Sequence, residues 1–310
     1  MQICALSILY QPDFDQFFLQ QTALLDSVHW RVWVDNAAHN PELAKLAQQL
    51  GASYLPLGEN LGIATAQNKG IAWARQQGAS HVLLLDQDSI LGPLLINELA
   101  RLLAQLQQIH LHSVIAPRYQ LQNGQMMRGF IGERDLSSAF SSFQNSLVQC
   151  DCMIAAGMLI PLSVFDLAGP MRDELFIDLV DAEWCYRAQA KGAYLFGLAS
   201  YAPALLMQHS LGENSLKIWC LRWRNLLVYS PTRNYYQIRN AVVLLRCPYV
   251  PLSHRIFQLF SASKLVFFNL LWAGQVAKRI RLVFKGIADG FRGRLGALNN
   301  VAKPKKTVKL

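Results

Sequence analysis

Short apolar runs alternate with helical patterns along the first two thirds of the chain. Runs at residues 3–10, 30–34, 52–57 and 81–85 are rich in β-branched, aromatic or other apolar residues, and each ends at polar or turn residues. Between them, residues 14–28, 41–50 and 62–77 place apolar or small residues at helical spacing. Strands that alternate with helices in this way predict a mostly parallel sheet covered by helices, an α/β fold.

The last third of the chain shows a different pattern. Residues 216–228 and 235–245 predict two helices separated by a break at Ser230 and Pro231, and a long apolar segment covers residues 256–284. The uncharged part of that segment, residues 265–276, is shorter than the roughly 20 residues that span a bilayer. We expect a helix that lies on an anionic membrane surface. The alternative is a helical hairpin that packs on the rest of the chain or on a second subunit of a homo-oligomer.

Composition strengthens the expectation of a membrane surface. The chain is 52% hydrophobic with 16% charged residues and a net charge of +9, which is more apolar than ordinary soluble proteins. Residues 278–309 hold ten lysines and arginines against one acidic residue, Asp289. Such a tail favours an anionic partner, and because no nucleic-acid-binding motif accompanies it, lipid is a better match than nucleic acid.

The N-terminus and the cysteines indicate the compartment. The first residues, Met-Gln-Ile-Cys-Ala-Leu, have no basic segment and lead directly into a strand pattern, so a signal peptide is not expected. The six cysteines are scattered and lack the spacing of a zinc site, which is typical of reduced thiols. We therefore expect a cytoplasmic protein.

Two carboxylates follow the most apolar of the predicted strands. Asp86 and Asp88 come directly after the run His-Val-Leu-Leu-Leu at residues 81–85. The carboxyl edge of a parallel sheet is where open α/β folds bind ligands. At a strand-to-loop junction both carboxylates can bind one hard cation, Mg²⁺ or Mn²⁺. The alternative is a pair of solvated loop aspartates or a cap for the helix that follows Gly92.

Other candidate binding residues also follow predicted strands or open a predicted helix. Asp35 and Asn36 follow the second strand, where they could reach a ribose or a base or form an ordinary turn. The small residues after Gly62 open a helix whose N-terminus could bind a phosphate, or they serve close packing on the sheet. His209 follows a strand-like run and is either a metal ligand or a structural histidine.

An acidic cluster lies between residues 175 and 188. Asp178, Asp181 and Glu183 sit close together in an apolar setting, at the predicted start of a helix near Val180. They could cap that helix, with Glu183 paired to Arg187 one turn later. Alternatively, one of them is a general base beside the metal site.

Taken together, these segments resemble the inverting glycosyltransferases of family 2, which have the Rossmann-like GT-A fold, and among them bacterial rhamnosyltransferases. The resemblance rests on residues 10–12, 34–36, 60–70, 86–89, 175–178, 180–188, 209–213, 230–236 and 239–240. It implies a GT-A catalytic domain over residues 1–215, with a nucleotide-sugar half at 1–117 and an acceptor half at 118–215. A helical, basic C-terminal region at 216–310 would associate with a membrane or form oligomers.

The same resemblance assigns roles to individual residues. Asp181 would be the catalytic base, although Val180 replaces the glutamate of the family's E-D motif. Asp88 and His209 would bind the metal ion, Mg²⁺ or Mn²⁺. The donor would contact Tyr10, Pro12, Asp35, Asn36, Asn60, Gly62, Asn68, Asp86 and Gln87. The acceptor or the diphosphate would contact Asp178, Glu183, Trp184, Arg233 and Tyr235.

The resemblance implies transfer of L-rhamnose from dTDP-L-rhamnose to a lipid-linked glycan, in O-antigen or other surface polysaccharide synthesis. The protein would then sit peripherally on the inner face of the cytoplasmic membrane. One alternative is a nucleotidyltransferase, which would need a basic, glycine-rich loop after the first strand, where residues 10–13 are Tyr-Gln-Pro-Asp. Another is a membrane-surface nucleotide-binding module without transferase activity.

Overall fold

The computed structural model describes residues 1–121, 124–127, 129–209, 215–220 and 222–298, with the backbone alone for residues 209, 215–220 and 222–227. The chain divides into two compact units. The first comprises Met1–Met171 and Asp181–Leu211, and the second comprises Arg172–Val180 and the described residues after Leu211.

An eight-stranded sheet forms the centre of the first unit. The strands of this unit are β1 (Ile3–Leu9), β2 (Trp30–Asp35), β3 (Ser53–Pro56), β4 (His81–Asp86), β5 (Ser89–Leu91), β6 (Ser113–Ala116), β7 (Tyr119–Gln120), β8 (Phe130–Ile131), β9 (Leu147–Gln149), β10 (Cys152–Met153), β11 (Leu159–Pro161), β12 (Tyr194–Leu198) and β13 (Met207–His209). The large sheet has the order β3-β2-β1-β4-β11-β6-β12-β9. Strands β3, β2, β1 and β4 run parallel, whereas β11 is antiparallel to both of its neighbours.

Helices cover this sheet, which confirms the predicted α/β architecture. They are α1 (Phe14–Thr22), α2 (Pro41–Leu50), α3 (Ile63–Gln76), α4 (Leu95–Ile109), α5 (Leu162–Ala168) and α6 (Val180–Ala190). Leu95, Leu99, Leu102 and Leu106 recur every three or four residues along α4, and all four are buried in the main core. That spacing places one apolar stripe against the sheet.

The register of the parallel strands brings the predicted polar residues to one edge. Leu9 of β1 lies beside Asp35 of β2, and Ile8 of β1 lies beside Asp86 of β4. The strands therefore end level with one another. In the sheet, β2 and β3 lie on one side of β1, and β4 lies on the opposite side of β1. The order of the strands therefore reverses between β1 and β4, which makes this edge the topological switch point of the sheet.

The second unit holds three helices and a hairpin. The helices are α7 (Pro231–Leu245), α8 (Leu252–Trp272) and α9 (Val276–Arg292), and the hairpin strands are β14 (Ser215–Cys220) and β15 (Arg222–Leu227). Two glycines of α9 allow close packing on α7, since a Cβ at Gly286 would lie 2.8 Å from the carbonyl oxygen of Tyr235 and one at Gly290 would lie 2.8 Å from that of Arg239. Of the helices in the described parts of the chain, none is both long enough and apolar enough to cross a membrane.

The hairpin corrects one prediction from the sequence. Residues 216–228 are predicted as a helix, whereas the structure places 215–220 and 222–227 in antiparallel strands in which Trp219 lies opposite Trp223. The physical reason is the alternation of polar and apolar positions around Lys217, Arg222 and Arg224, together with three residues that favour strands, Ile218, Trp219 and Trp223. Further along, the long apolar segment is divided at Gly274 and Gln275, both with left-handed backbone, so it forms α8 and α9 rather than one helix.

Candidate active site

The turn that carries Asp86 and Asp88 is held by side-chain amides from α1. Nε2 of Gln20 donates to the carbonyl oxygens of Asp86 (2.6 Å) and Ser89 (2.7 Å), and Nε2 of Gln16 donates to that of Asp88 (3.2 Å). Gln20 is fully buried. Three backbone carbonyls of the turn are therefore fixed from one helix, which holds the two carboxylates in place.

Gln20 is itself part of a buried polar network. Its Oε1 accepts from Nε2 of Gln21 (2.9 Å) and from the hydroxyl of Ser7 (3.3 Å). Oε1 of Gln21 in turn accepts from Nε1 of Trp33 (2.8 Å). Satisfied networks of this kind rigidify a core. In the sequence these glutamines are marked only as polar residues on a helix that also carries apolar ones.

The segment after β1 lies against the same turn. The backbone N–H of Tyr10 donates to Oε1 of Gln87 at 2.7 Å, and Gln11 adopts a left-handed conformation. The Tyr10 side chain is 49% exposed, whereas Pro12 is buried. Tyr10 and Gln87, both predicted to bind the donor, are thus brought together at the sheet edge with the Tyr10 ring open to solvent.

Asp35 lies at the end of β2 and is almost completely buried. Its Oδ2 accepts a hydrogen bond of 2.5 Å from the hydroxyl of Tyr54, which lies on β3. The pKa of Tyr54 is raised to about 12, first by burial and then by its hydrogen bond to Asp35. Tyr54 was not among the predicted site residues.

Asn36 and Asn60 organise the loop that leads into α3. Nδ2 of Asn36 donates to Oδ1 of Asn60 (3.1 Å), and Oδ1 of Asn36 accepts from the N–H of Leu61 (2.8 Å). Oδ1 of Asn60 also accepts from the N–H of Gly62 (3.0 Å), whose φ of 90° suits glycine. These predicted donor-site residues therefore shape the loop beside Asp35.

Asn68 has a structural partner in the same unit. Its side-chain amide exchanges two hydrogen bonds with the backbone of Met171, at 2.8 and 2.9 Å. Nearby on α3, a Cβ at Gly70 would lie 2.1 Å from a methyl carbon of Leu6 on β1. The small residues of this helix thus serve close packing on the sheet, and Asn68 fixes the chain at Met171.

Asp181 lies in the first turn of α6, as the sequence predicted from the helix start near Val180. Its Oδ1 accepts from the N–H of Ala182 (2.8 Å), and its Oδ2 accepts from that of Ala155 (3.3 Å). Ala155 shortly precedes β11, which is antiparallel to β4, and Gly157 donates to the carbonyl of Leu84 (2.7 Å). Asp181 therefore lies at the end of the sheet where β4 delivers Asp86.

Two neighbouring residues predicted as acceptor contacts lie in the core instead. Glu183 is 1% exposed and forms a two-point ion pair with Arg187, as the one-turn spacing predicted. Trp184 is fully buried and donates from Nε1 to the carbonyl of Gly169 at 3.0 Å. Both residues fasten α6 and do not line the sheet edge.

The remaining predicted contacts belong to the second unit. Nε of Arg233 lies 3.3 Å from both oxygens of Asp178, and its guanidinium stacks over the ring of Tyr229. Tyr235 is fully buried, and its hydroxyl donates to Oδ2 of Asp289 at 2.9 Å. Burial is also the main cause that raises the pKa of Tyr235. Tyr235 is thus part of the packing between α7 and α9.

The segment before α6 is strained and strongly held. Three of its residues other than glycine, Phe176, Asp178 and Leu179, have φ between 60° and 66°, a conformation that costs energy for L-residues. Nδ2 of Asn240 donates to the carbonyls of residues 175, 177 and 178 at 2.7 to 3.0 Å. The motif Arg239–Asn240, noted in the sequence without a role, thus clamps this segment.

Comparison with known proteins decides the family. Residues 20–154 match the model of Glycosyl transferase family 2. The dTDP-rhamnosyl transferase RfbF of Shigella flexneri is 31% identical over 302 residues, which span 95% of this chain and 97% of RfbF. The chain belongs to glycosyl transferase family 2. It is therefore a glycosyltransferase, and the nucleotidyltransferase and the inactive binding module are set aside.

Solved structures bear out the GT-A-like fold of this family 2 enzyme. S. aureus TarS 1-349 in complex with UDP-GlcNAc superposes with a TM-score of 0.57 over 94% of this chain and 81% of that one, at 13% identity. The crystal structure of S. aureus TarS 1-349 without a named ligand gives a TM-score of 0.55 with the same coverage. At this identity the likeness concerns the fold alone.

The predicted metal ligands of the family 2 enzyme are placed in part. Asp86 and Asp88 share one turn at the end of β4. The backbone of His209 pairs with Ser89 in the small sheet β5-β13-β7, directly beside that turn. The side chain of His209 and residues 210–214 lie outside the described residues. Among the residues that the structure describes, no group of three or more His, Cys, Asp or Glu is arranged to hold a metal ion.

Proposed function

We propose that this enzyme is a metal-dependent, inverting rhamnosyltransferase that uses dTDP-L-rhamnose and a lipid-linked glycan acceptor in bacterial surface polysaccharide synthesis. One observation carries the proposal. The carboxylates of Asp86 and Asp181 come to the same end of the sheet from β4 and α6, in a chain 31% identical to a dTDP-rhamnosyl transferase.

The donor nucleoside would bind at the ends of β1 and β2. The exposed ring of Tyr10 is available to stack on the base, and Asp35 can accept a hydrogen bond from it. The loop fixed by Asn36 and Asn60 forms the wall beside the ribose. The TarS complex with UDP-GlcNAc supports a nucleotide-sugar donor for this fold.

Asp86 and Asp88 would hold the cation and the donor sugar. Their oxygen atoms fit Mg²⁺ or Mn²⁺, because such ions often take one or two carboxylates and complete their shell with substrate phosphates and water. The hydrogen bonds from Gln16 and Gln20 to the turn fix the backbone of these two cation-binding aspartates before the cation binds. When bound, the cation would neutralise charge on the departing nucleoside diphosphate.

Asp181 would act as the general base. Its carboxylate would take the proton of the acceptor hydroxyl as that oxygen bonds to the anomeric carbon and the bond to the diphosphate breaks on the opposite face. The configuration at the anomeric carbon is then inverted. The hydrogen bonds from the backbone N–H groups of Ala155 and Ala182 hold this carboxylate in position.

The test is donor binding by the purified protein with Mg²⁺ or Mn²⁺ and a panel of dTDP-, UDP- and GDP-sugars. We expect metal-dependent binding of dTDP-rhamnose, and we expect Asp88→Ala to abolish the metal dependence. Asp26→Ala, at an exposed position between α1 and β2, is the matched control and should bind like the native protein. Absence of binding by every nucleotide sugar with either metal would overturn the proposal.

The lipid-linked acceptor is supported by the surfaces of α8 and α9. On α9, Val276, Ile280, Phe284 and Phe291 are exposed at intervals of about one or two turns. Exposed basic residues on the same two helices are Lys264, Lys278, Arg281 and Arg292. An apolar stripe flanked by cations suits the headgroup region of an anionic leaflet, so the proposal includes peripheral attachment to the inner face of the cytoplasmic membrane.

A further inference from the structure

The buried Asp35 and the half-buried Tyr54 form a hydrogen-bonded pair at the sheet edge where the proposed function places the donor base. The Tyr54 hydroxyl lies 2.5 Å from Oδ2 of Asp35, and Asp35 is 1% exposed. The two residues lie on adjacent parallel strands: Asp35 ends β2 in register with Pro56, and Tyr54 lies two positions before Pro56 on β3. The contact therefore depends on the fold and joins residues that lie 19 positions apart.

The direction of the Tyr54 hydroxyl is fixed by its second partner. The backbone N–H of Asn40 donates to the Tyr54 oxygen at 2.9 Å, so the hydroxyl proton is left to point at Asp35. The ring of His39 packs edge-on against Tyr54, with centroids 5.5 Å apart. Because its pKa is raised to about 12, mainly by burial, Tyr54 stays protonated and remains a donor at neutral pH.

This arrangement leaves Asp35 with one oxygen for a ligand. Oδ2 is occupied by Tyr54, and no residue in the described parts of the chain donates to the Oδ1 atom. The side chain is thus built to receive a single hydrogen bond at Oδ1.

We propose that Tyr54 is the residue that sets base specificity, by holding Asp35 so that one oxygen faces the donor base. Thymine and uracil present one ring N–H between two carbonyls, which matches one carboxylate oxygen. Guanine presents a ring N–H beside an amino group and pairs best with both oxygens of a carboxylate. Cytosine and adenine present a lone pair at the ring position, which the carboxylate repels. This inference rests on the proposed function, because it requires a nucleotide donor at this edge.

The test measures calorimetric affinities for dTDP, UDP, GDP and CDP in the native protein and in Tyr54→Phe. The native protein should bind dTDP and UDP at least about tenfold more tightly than GDP or CDP. Tyr54→Phe frees the second oxygen of Asp35, so dTDP binding should weaken about three- to tenfold. The affinity for GDP relative to that for dTDP should rise about tenfold or more. Tyr194→Phe removes a hydroxyl from β12, at the other side of the sheet, and should leave the ratio unchanged.

A second variant tests the same geometry without altering Tyr54. In Asp35→Asn the Tyr54 hydroxyl would still donate to the side-chain oxygen, so the amide NH₂ would face the base. CDP should then bind more tightly than dTDP, a reversal that follows only if Tyr54 fixes the amide orientation.

Two results would overturn this inference alone: an unchanged dTDP-to-GDP affinity ratio in Tyr54→Phe, or no gain for CDP in Asp35→Asn. A loss of fold would not produce either selective change, because unfolding weakens all four nucleotides together. If the folded native protein binds none of the four, the proposed function itself fails.

Discussion

The acidic residues of the site depend on uncharged neighbours for their positions. Asp86 and Asp88 carry the carboxylates proposed to bind the cation, yet the side-chain amides of Gln16 and Gln20 hold the backbone that carries them. Asp181 is likewise fixed by backbone N–H groups of two alanines. Such contacts keep ligands near a productive geometry before the substrate arrives.

Replacing Gln20 with leucine should loosen this turn. The change keeps the side-chain bulk but removes both donors to the carbonyls of Asp86 and Ser89, which costs about 1–3 kcal/mol of stability. We expect the Mg²⁺ concentration that gives half-maximal donor cleavage to rise about tenfold. Metal titration of activity and urea unfolding measure the two effects. Gln48→Leu, at an exposed position of α2, is the control. An unchanged metal requirement in Gln20→Leu would refute the role of this glutamine.

At the scale of elements, side chains of α7 hold the backbone of the segment at 175–179 through hydrogen bonds. Arg239 is fully buried between the rings of Tyr235 and Tyr236, and it donates to the carbonyls of residues 174, 175 and 296. The side-chain amide nitrogen of Asn240 also donates to the carbonyl of residue 175 and adds two further carbonyls, those of residues 177 and 178. These bonds offset the cost of the positive-φ backbone at Phe176, Asp178 and Leu179.

We therefore expect Asn240→Ala to destabilise the protein by about 2–4 kcal/mol, since it removes a buried donor shared by three carbonyls. The free energy of unfolding in urea measures this loss. Asn97→Ala, at an exposed helical position of α4, should cost less than about 0.5 kcal/mol. Equal effects of the two substitutions would mean that the clamp contributes no stability.

The exposed faces of α8 and α9 make a separate prediction. The double variant Phe260→Ser and Phe284→Ser removes two aromatic side chains that are each 66% exposed. We expect it to lose most of its binding to phosphatidylglycerol vesicles in a sedimentation assay, while Leu111→Ser, an exposed site of the first unit, binds like the native protein. Native binding should also fall with salt, because exposed charges are screened.

Two outcomes would contradict attachment to lipid. In the first, the native protein binds phosphatidylcholine vesicles at high salt and does not bind anionic vesicles. In the second, the native protein is a stable dimer and the double variant is a monomer whose vesicle binding is unchanged. The second result would assign the apolar faces to a second copy of the chain.

At the scale of the whole molecule, chains of very different sequence share this fold. A TM-score of 0.57 with TarS accompanies 13% identity. Elements predicted from local pattern were correct where the pattern was strong: the strands that end at Asp35 and Asp86, the start of α6 and the pair of Glu183 with Arg187. Each of these depends on neighbours in sequence.

The contacts that the sequence did not reveal join distant positions. Gln20 reaches carbonyls 66 and 69 residues away, and Asn240 reaches back 62 to 65 residues. Polar residues on an amphipathic helix give no local signal of such partners, so these contacts required the fold. The hairpin at 215–227 was missed for another reason, because its short apolar runs fit a helical period as well as a strand period.

The most direct test of the account is the rate of dTDP release from dTDP-rhamnose by Asp181→Asn, with the affinity for dTDP measured on the same sample. The substitution keeps the shape of the side chain and removes its ability to take a proton. We expect affinity within about twofold of the native value and a rate about 10²- to 10⁴-fold lower, the usual effect of losing a general base. A native rate in this variant would contradict the assignment of Asp181 and the mechanism built on it.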